Sequence, residues 1–280
     1  MEYLSRARLT LRPRVLAPLI LLALLVPRPS AAERSSVTYS KRYVCGVVAH
    51  VVTINMNDPD VKLSPAYATR GVGASERFES ILNRTRPTAA ITGTFFDTRS
   101  LYPTGDIVVD GETVCKGVVG TAIGIGWSNE VNFIPTRRGW IYDWGNFQSV
   151  LCVGPRLLES GRKTVYPKDE GFRDSRLYSQ RIRAAVGITR WNRLLFVTTR
   201  QPVYLSRLAK VMRGLGAWDA ATLDGGGSTA LYYRGRFFSR PNRRLTNLLV
   251  VYDNLTGYEQ ARQRLAPKTR VSARKGDGAG

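Results

Sequence analysis

One short stretch of the sequence combines residue types that suit chemistry on a negatively charged group. Asp224 is followed by three glycines, Gly225, Gly226 and Gly227, and then by Ser228. Successive glycine amides without side chains can curl into a concave nest that binds a phosphate or a carboxylate. Asp224 would offer an acceptor and Ser228 a donor at the two ends of this nest. The alternative is a tight glycine-rich turn or bulge between two strands, which Asp224 caps.

The spacing around the glycines excludes several well-known motifs. No G-x-x-x-x-G-K-[ST] pattern of a P-loop occurs there, and Ser228 lacks the second glycine that a G-x-S-x-G nucleophile elbow requires. The residues that follow the glycines, STALYY, favour a strand, whereas a dinucleotide-binding turn opens a helix. The stretch therefore predicts an anion site of another kind.

The chain contains a single histidine, His50, within an apolar stretch that alternates as a strand does. We expect a packed strand residue there rather than a catalyst. One histidine excludes a multi-histidine metal site and the HExxH zinc motif, and a Ser-His-Asp triad would depend on this one residue. Since no spacing of metal ligands stands out, we expect no cofactor and no metal site, although a divalent cation beside a phosphate stays open.

The segments that must position the site are strand-like or helix-like, and they do not follow a regular βαβ order. Strand-like segments include residues 43–56, 61–67, 89–96, 182–189, 193–199 and 247–253. Hairpin turns are predicted at Asp110-Gly111 and around Arg190-Trp191-Asn192. These signals favour a largely antiparallel arrangement.

Two amphipathic helices are predicted between the strands. The first covers residues 75–86, with Ser75 as its N-cap and Pro87 as its stop, and the second covers residues 204–216. Residues 161–180 are polar and are expected to form a surface loop. The predicted class is α+β, a single domain with a largely antiparallel mixed sheet and a few packed helices.

The two ends of the chain differ from the middle. Arginines precede an apolar run of about a dozen residues, 15–26, and small residues follow at Ser30 and Ala32. We predict a signal peptide over residues 1–32, with an uncleaved N-terminal anchor as the alternative. Residues 36–258 are predicted as the folded domain and residues 259–280 as a basic disordered tail. The protein is then exported, to the periplasm, the cell surface or the medium, with no stable membrane span after cleavage.

The net charge of +21 favours anionic partners. Nucleic acid is not expected, because the chain lacks both a concentrated Lys/Arg run and an aromatic RNA-binding pattern. For an exported protein, an acidic cell envelope or a phosphate-containing glycan is the expected partner. Three cysteines, Cys45, Cys115 and Cys152, are too few for a disulfide scaffold, so one pair bridges or all three are lone buried thiols.

Several motifs together resemble the phosphodiester glycosidase family. LDGGGSTAL at residues 223–231 is similar to the signature of that family. AAITGTFFD (89–97), RAAVGIT (183–189) and RRLTNLLVV (243–251) resemble three further family motifs in the same order, and the YPTGDIVVDGE stretch resembles a segment between the first two. The resemblance covers residues 81–253, and the glycine block is its specific part.

The resemblance implies cleavage between the anomeric carbon of a sugar and a phosphodiester oxygen. Phosphate is a good leaving group, so charge stabilisation matters more than acid assistance, and no histidine is needed. Arg183 and Arg243 would grip the phosphate through bidentate guanidinium contacts. The backbone of Gly225, Gly226 and Gly227, with Ser228, would complete the cradle.

The remaining polar residues of the matching motifs take the other roles. Asp224 would stabilise the oxocarbenium-like centre or activate water, and Asp97 is a second carboxylate candidate. Asn247 and Thr92 would orient sugar hydroxyls. Thr92 stands where the family usually has Asn, and Ala184 stands where it usually has Thr, so hydrogen-bonding capacity is lost at both positions.

Three functions follow as hypotheses. The first is an exported hydrolase that cleaves a sugar-1-phosphodiester in an envelope or exopolysaccharide-type glycan. The second is a non-catalytic phosphoglycan-binding envelope protein on the same fold, for which the departures at Thr92 and Ala184 argue. The third is a basic structural protein held to acidic polymer by its charge.

Overall fold

Strands dominate the protein, whose computed structural model describes residues 35–117 and 119–267. The strands are β1 (Val37–Val44), β2 (Val47–Asn55), β3 (Lys62–Tyr67), β4 (Ala89–Thr92), β5 (Ile107–Val109), β6 (Glu112–Cys115), β7 (Thr121–Gly126), β8 (Val131–Pro135), β9 (Phe147–Val153), β10 (Arg156–Glu159), β11 (Arg162–Lys163), β12 (Ala184–Thr189), β13 (Arg193–Thr199), β14 (Ala217–Leu223), β15 (Leu231–Tyr233), β16 (Arg236–Ser239) and β17 (Asn247–Tyr252). The helices are α1 (Phe78–Thr85), α2 (Leu205–Gly214) and α3 (Leu255–Arg262), with short 3-10 turns at Ser175–Tyr178 and Gly226–Ser228. The predicted α+β class is confirmed.

The strands pair antiparallel in three sheets rather than in the one sheet that the sequence suggested. Sheet I has the order β1-β2-β13-β12-β14-β10-β11, sheet II the order β16-β15-β4-β17-β3, and sheet III the order β6-β5-β9-β7-β8. Every strand pair among the described residues is antiparallel. Strand signals alone do not say which strands share a sheet, because pairing partners are chosen by long-range packing.

Alternation along the strands of sheet I divides the core into two parts. In β13, Leu194 and Phe196 enter a large cluster that also takes side chains from sheets II and III, whereas Leu195 and Val197 pack on the opposite face. That second face is covered by α2. Because successive side chains point to opposite faces of a strand, both faces of sheet I are buried at its central strands β12 and β13.

Most local predictions are confirmed by the structure. The Asp110-Gly111 turn joins β5 to β6 with positive φ at both residues, as a type I′ hairpin requires. The second predicted hairpin joins β12 to β13 around residues 190–192, and α2 ends before Gly216, whose φ is +90°.

Two local predictions are wrong. Residues 43–56 do not form one strand, because Cys45 and Gly46 both adopt positive φ and turn the chain back between β1 and β2. Helix α1 begins at Phe78 with Arg77 as its N-cap, and no side chain caps it, so Ser75 does not have the predicted role. Glu76, which precedes α1, instead forms an isolated antiparallel bridge with Leu245, in the segment before β17.

The domain extends beyond residue 258, where the sequence placed the start of a disordered tail. Helix α3 continues to Arg262, and Tyr258, Ala261 and Leu265 are buried. The carbonyl oxygen of Leu265 accepts a hydrogen bond of 2.8 Å from the amide of Tyr67 in β3. Because this segment has few apolar residues, its sequence did not predict their burial, which depends on contacts with strands distant in sequence.

The predicted signal peptide and the last residues of the predicted tail lie outside the described residues. Within residues 35–117 and 119–267, no helix has the length and apolar character needed to cross a membrane.

We predict that Leu265→Ala lowers the free energy of unfolding by about 2–4 kcal/mol, because it deletes a fully buried side chain. Urea denaturation measures this change. The matched control is Gln263→Ala, an exposed position two residues earlier, which should change stability by less than about 0.5 kcal/mol. Equal stability of both variants would contradict the extension of the domain to Leu265.

Candidate functional site

Four chain segments that are distant in sequence meet at one edge of the sheets. Strand β14 ends at Leu223, which pairs with Ala184 at the start of β12, so Asp224 and Arg183 lie beside each other. Strand β4 ends at Thr92, and the next residue, Gly93, accepts a hydrogen bond of 3.1 Å from the amide of Asp224. The segment before β17 supplies Arg243. The motifs that the sequence singled out therefore converge in space.

Asp224 is the buried centre of this convergence. Its side chain is 7% exposed, and Arg243 donates to its Oδ2 through Nη2 at 2.9 Å. The Nε of Arg243 donates to Ser228 Oγ, which is fully buried. Burial raises the pKa of Asp224, while the charge of Arg243 and a hydrogen bond from Ser228 oppose that rise. Arg243, Ser228 and the amide of Gly225 thus favour the ionised form of a carboxyl group whose burial favours the protonated form.

Arg243 also reaches beyond this ion pair. Its guanidinium carbon lies 4.7 Å from the ring centroid of Phe96, and its side chain is 32% exposed. Among the described residues, no acceptor takes its Nη1. One edge of the guanidinium is therefore open to a ligand.

Each of the three glycines has its own structural reason. A Cβ at Gly225 would lie 3.0 Å from the carbonyl oxygen of Ile182, and one at Gly227 would lie 2.4 Å from Oδ1 of Asn242. Gly226 has a φ of +58° with open space around it. Close approach explains the outer two glycines, and positive φ explains the middle one.

The predicted nest of three free amides is wrong in this form. The amide of Gly226 donates to Ile182 O at 2.8 Å, and a hydrogen bond from the amide of Gly225 stabilises the Asp224 carboxylate. Within the described part of the chain, only the amide of Gly227 among the three has no protein acceptor. The run joins β14 of sheet I to β15 of sheet II, and the backbone needs its own hydrogen bonds to make that crossing.

Arg183 lies at the site but is held by backbone carbonyls. It is 3% exposed, and its Nη2 donates to the carbonyl oxygens of Arg176, Leu177 and Ser179 at 3.2, 3.1 and 2.6 Å. Its Nε donates to Val203 O at 3.2 Å. Burial, followed by the nearby charge of Arg181, lowers the pKa of Arg183 to about 10. Arg183 fixes the chain segment around it.

That segment, residues 164–182, is named here the cleft wall. The sequence predicted a surface loop over most of it, but Phe172 and Leu177 are buried against sheet I. Glu170 accepts from the amide of Arg156 and from Thr121 Oγ1 at 2.9 and 3.1 Å. Its burial raises its pKa to about 7. The cleft wall is thus anchored on both sides of its 3-10 turn.

A cleft of about 300 Å³ opens between the cleft wall and the glycine run. Its floor includes Asp224 and the three glycines, and Phe95, Phe96 and Phe172 supply aromatic surface. Five arginines line it: Arg173, Arg176, Arg181, Arg183 and Arg243. A small, partly apolar cavity with converging charged groups has the properties of a ligand site. Its dominant charge is positive.

Four of the predicted substrate-binding residues, Ser228, Asn247, Thr92 and Asp97, are not part of the cleft lining. Ser228 is buried behind it, where it accepts from Arg243. Asn247 is 2% exposed, and its Oδ1 accepts from the amide of Thr94 at 2.9 Å, close above Gly93. Thr92 is buried within β4. Asp97 is fully exposed and accepts hydrogen bonds from Arg99 and Ser100, which lower its pKa and make it the cap of a turn. Asn247 positions the backbone beneath the site instead of facing the cleft.

Two further expectations concern residues away from the cleft. His50 lies in β2, where Tyr39 Oη bonds to its Nδ1 at 2.8 Å, and burial lowers its pKa. The three cysteines are free thiols, so no pair bridges, and Cys45 is exposed rather than buried. Among the residues that the structure describes, no three side chains of His, Cys, Asp or Glu gather as metal ligands.

The sequence did not identify the contribution of the cleft wall. Arg173, Arg176 and Arg181 face the cleft together with Asp174, but their segment carries no matching motif. The one available signal was the density of arginine in FRDSRLYSQRIR, residues 172–183, within a loop that also holds apolar residues.

The comparisons with known proteins agree with this geometry. A model of the phosphodiester glycosidase family matches residues 85–252, which is more than half of the chain. The chain belongs to this family. The match includes the glycine run, Arg183 and Arg243, so the family's shared segment is the one that builds the cleft. No protein of curated function matches the chain significantly.

Solved structures share the fold at low sequence identity. A hypothetical protein from Synechocystis is 17% identical with a TM-score of 0.69, over 77% of this chain and 62% of that protein. The catalytic domain of zebrafish N-acetylglucosamine-1-phosphodiester alpha-N-acetylglucosaminidase, auto-inhibited by its pro-peptide, is 20% identical with a TM-score of 0.63, over 77% of this chain and 82% of that one.

A third similar structure comes from a Burkholderia pseudomallei protein described as exported. It is 16% identical with a TM-score of 0.56, over 74% of both chains. This chain therefore spans less than two thirds of the Synechocystis protein but most of the zebrafish catalytic domain. At these identities the likeness establishes the fold.

We predict that the stability of this family member falls as pH rises from about 5 to about 8, and that Glu170→Gln reduces the fall by about 2–3 kcal/mol. The folded-state pKa of Glu170, about 7, lies above that of an exposed glutamate, so the folded state binds more protons in this window. Urea denaturation at several pH values measures the difference. Glu159→Gln, at an exposed position, is the charge control. Parallel profiles for the wild type and Glu170→Gln would contradict the anchoring role of a buried carboxyl.

The glycine run allows a separate prediction about backbone strain. Gly226→Asn should cost less than about 1 kcal/mol of folding stability, because Asn tolerates positive φ and the space is open, whereas Gly226→Val should cost more than about 2 kcal/mol. Thermal or urea unfolding of the two variants distinguishes them. If both variants were equally stable, strain at Gly226 would not be the reason for the middle glycine.

Proposed function

We propose that this chain hydrolyses a sugar-1-phosphodiester. Water adds to the anomeric carbon, the bond from that carbon to the phosphate oxygen breaks, and the phosphate monoester leaves with the bonding electrons. The observation that carries the proposal is the ion pair of the buried Asp224 with the partly exposed Arg243 in a positively charged cleft. Membership of the phosphodiester glycosidase family supports the same reaction class.

In this proposal Arg243 both binds the phosphate leaving group and holds the catalytic carboxylate. Its Nη2 and Nε hold Asp224 and Ser228, and its open edge takes an oxygen of the phosphate. A guanidinium fork suits phosphate oxygens and stabilises the charge that develops as the phosphate departs. Burial raises the pKa of Asp224, and the charge of the same cation acts in the opposite direction and so favours the ionised form. Binding of the leaving group and activation of the carboxylate are therefore coupled through one side chain.

Asp224 is the proposed catalytic carboxylate. In its ionised form it stabilises the positive charge at the anomeric carbon or accepts a proton from the attacking water. Its backbone is fixed by the hydrogen bond to Gly93, and its side chain by Arg243 and Ser228, so it needs little reorganisation. The amide of Gly227 is the glycine donor left for the substrate.

Arg183 has a positioning role in this proposal rather than a direct one on the phosphate. Its contacts to three carbonyls hold the cleft wall in place, and the wall presents the other arginines to the substrate. The departures at Thr92 and Ala184 lie in buried strand positions outside the cleft lining. They give no support to loss of activity.

The proposed substrate belongs to an envelope or exopolysaccharide-type glycan that contains phosphate. The excess of basic residues suits such a polymer, and one structural neighbour is described as exported. The predicted signal peptide over residues 1–32 agrees with a site of action outside the cytoplasm.

The test is hydrolysis by the chain without residues 1–32 of UDP-N-acetylglucosamine and a panel of sugar-1-phosphodiesters. We expect release of free sugar by the wild type and a loss of at least about 100-fold in kcat for Asp224→Asn, since a buried carboxylate is replaced by a neutral isostere. Asp60→Asn, an exposed position remote in sequence from the family motifs, is the control and should keep the wild-type rate.

Circular dichroism separates a catalytic effect from unfolding. A folded, inactive Asp224→Asn variant supports the proposal, and an active one contradicts it. If the wild type turned over no substrate of the panel but bound a phosphoglycan, the hydrolase proposal would be replaced by that of a binding protein on the same fold.

A further inference from the structure

The positive charge of the cleft exceeds what a single phosphodiester neutralises. Its five arginines face two carboxylates among the described residues, Asp174 and Asp224, so three positive charges are in excess. A phosphodiester carries one negative charge. Where water is partly excluded, uncompensated like charges repel each other more strongly than in bulk solvent. A substrate with one phosphate leaves most of this excess in place.

Three of the five arginines already have partners in the protein. Arg243 pairs with Asp224 at 2.9 Å, and Arg176 pairs with Asp174 at 2.6 Å. Arg183 is held by four backbone carbonyls. Their guanidinium groups are engaged by the fold before any ligand binds.

Arg173 and Arg181 differ from these three. Neither forms an ion pair within the described part of the chain, and both side chains are exposed at the rim of the cleft. Among the described residues, the side chain of Arg181 makes one hydrogen bond, from Nε to Ser179 Oγ at 3.3 Å. Both therefore remain available to a ligand that enters between the cleft wall and the glycine run.

The position of Arg181 gives a second reason to expect an anion there. Its charge acts unfavourably on the buried guanidinium of Arg183 and favourably on the carboxylate of Asp174. Because Asp174 is already paired with Arg176, the repulsion between Arg181 and Arg183 is only partly offset. A bound anion beside Arg181 would offset the remainder.

We propose that the cleft binds a substrate with two anionic groups, of which Arg173 and Arg181 take the second while Arg243 takes the scissile phosphate. The inference rests on the proposed function for the identity of the first group. The substrate class is then a sugar phosphodiester that carries a further phosphate or carboxylate close by, as in a diphosphate or in the repeat of an anionic polymer. Either group supplies the charge that the two arginines recognise.

Binding of small anions tests this without any turnover. Titration calorimetry of the chain lacking residues 1–32 would compare inorganic phosphate with pyrophosphate at fixed ionic strength. We expect pyrophosphate to bind at least about tenfold more tightly, and the preference to fall below about threefold in the double variant Arg173→Gln/Arg181→Gln. The double variant Arg190→Gln/Arg193→Gln removes the same charge at the opposite end of β12 and should keep the preference.

Two results would overturn the inference. One is equal affinity of the wild type for phosphate and pyrophosphate, and the other is an unchanged preference in the Arg173→Gln/Arg181→Gln variant. Phosphonoacetate, which carries a phosphonate and a carboxylate, distinguishes the two sources of the second charge. Affinity like that of pyrophosphate would extend the inference to carboxylates, and affinity like that of phosphate would restrict it to phosphates.

The test of the two-anion site can fail or succeed independently of the test of the hydrolase proposal. If the pyrophosphate preference depended on Arg173 and Arg181 but no sugar phosphodiester were hydrolysed, the two-anion site would stand and the hydrolase proposal would fail. If hydrolysis occurred with equal kcat/KM for substrates with one and with two anionic groups, the hydrolase proposal would stand and this inference would fail.

Discussion

The burial of one carboxylate, Asp224, is the constraint on which the site depends. A buried charge is costly unless it is paired and hydrogen-bonded, and Asp224 obtains both from Arg243, Ser228 and the backbone that follows it. Arg243 comes from the segment before β17, in a different sheet from the strand that carries Asp224. Sheets I and II must therefore meet at this edge for the carboxylate to be paired with its arginine.

The glycine run is the link that makes this meeting sterically feasible. It carries the chain from β14 to β15 while its backbone passes close to Ile182 and Asn242. Its amides serve mainly the crossing itself, since Gly226 donates to the chain before β12. The glycines thus act through shape and backbone conformation, and only a part of their hydrogen-bonding capacity remains for a ligand.

The cleft wall depends on a second set of buried charges. Arg183 satisfies several carbonyl groups of the wall, and Glu170 fastens its other side to β10 and β7. These contacts oppose the repulsion among the arginines of the cleft wall, which favours a position of the segment away from the cleft. Arg183 and Glu170 therefore hold in place the segment that supplies three of the five arginines of the cleft.

The sequence by itself determined the local features of the protein: the α+β class, the Asp110-Gly111 and β12–β13 hairpins, helix α2, the glycine run, and the resemblance that identified the family. These follow from residue period, turn chemistry and short motifs, which act over a few residues. Only the tertiary structure decided that the strands form three sheets, that Asp97 and Asn247 do not face the cleft while Arg173 and Arg181 do, and that Leu265 belongs to the domain. Side-chain direction and long-range partners depend on how distant strands pack, and no local pattern encodes that choice.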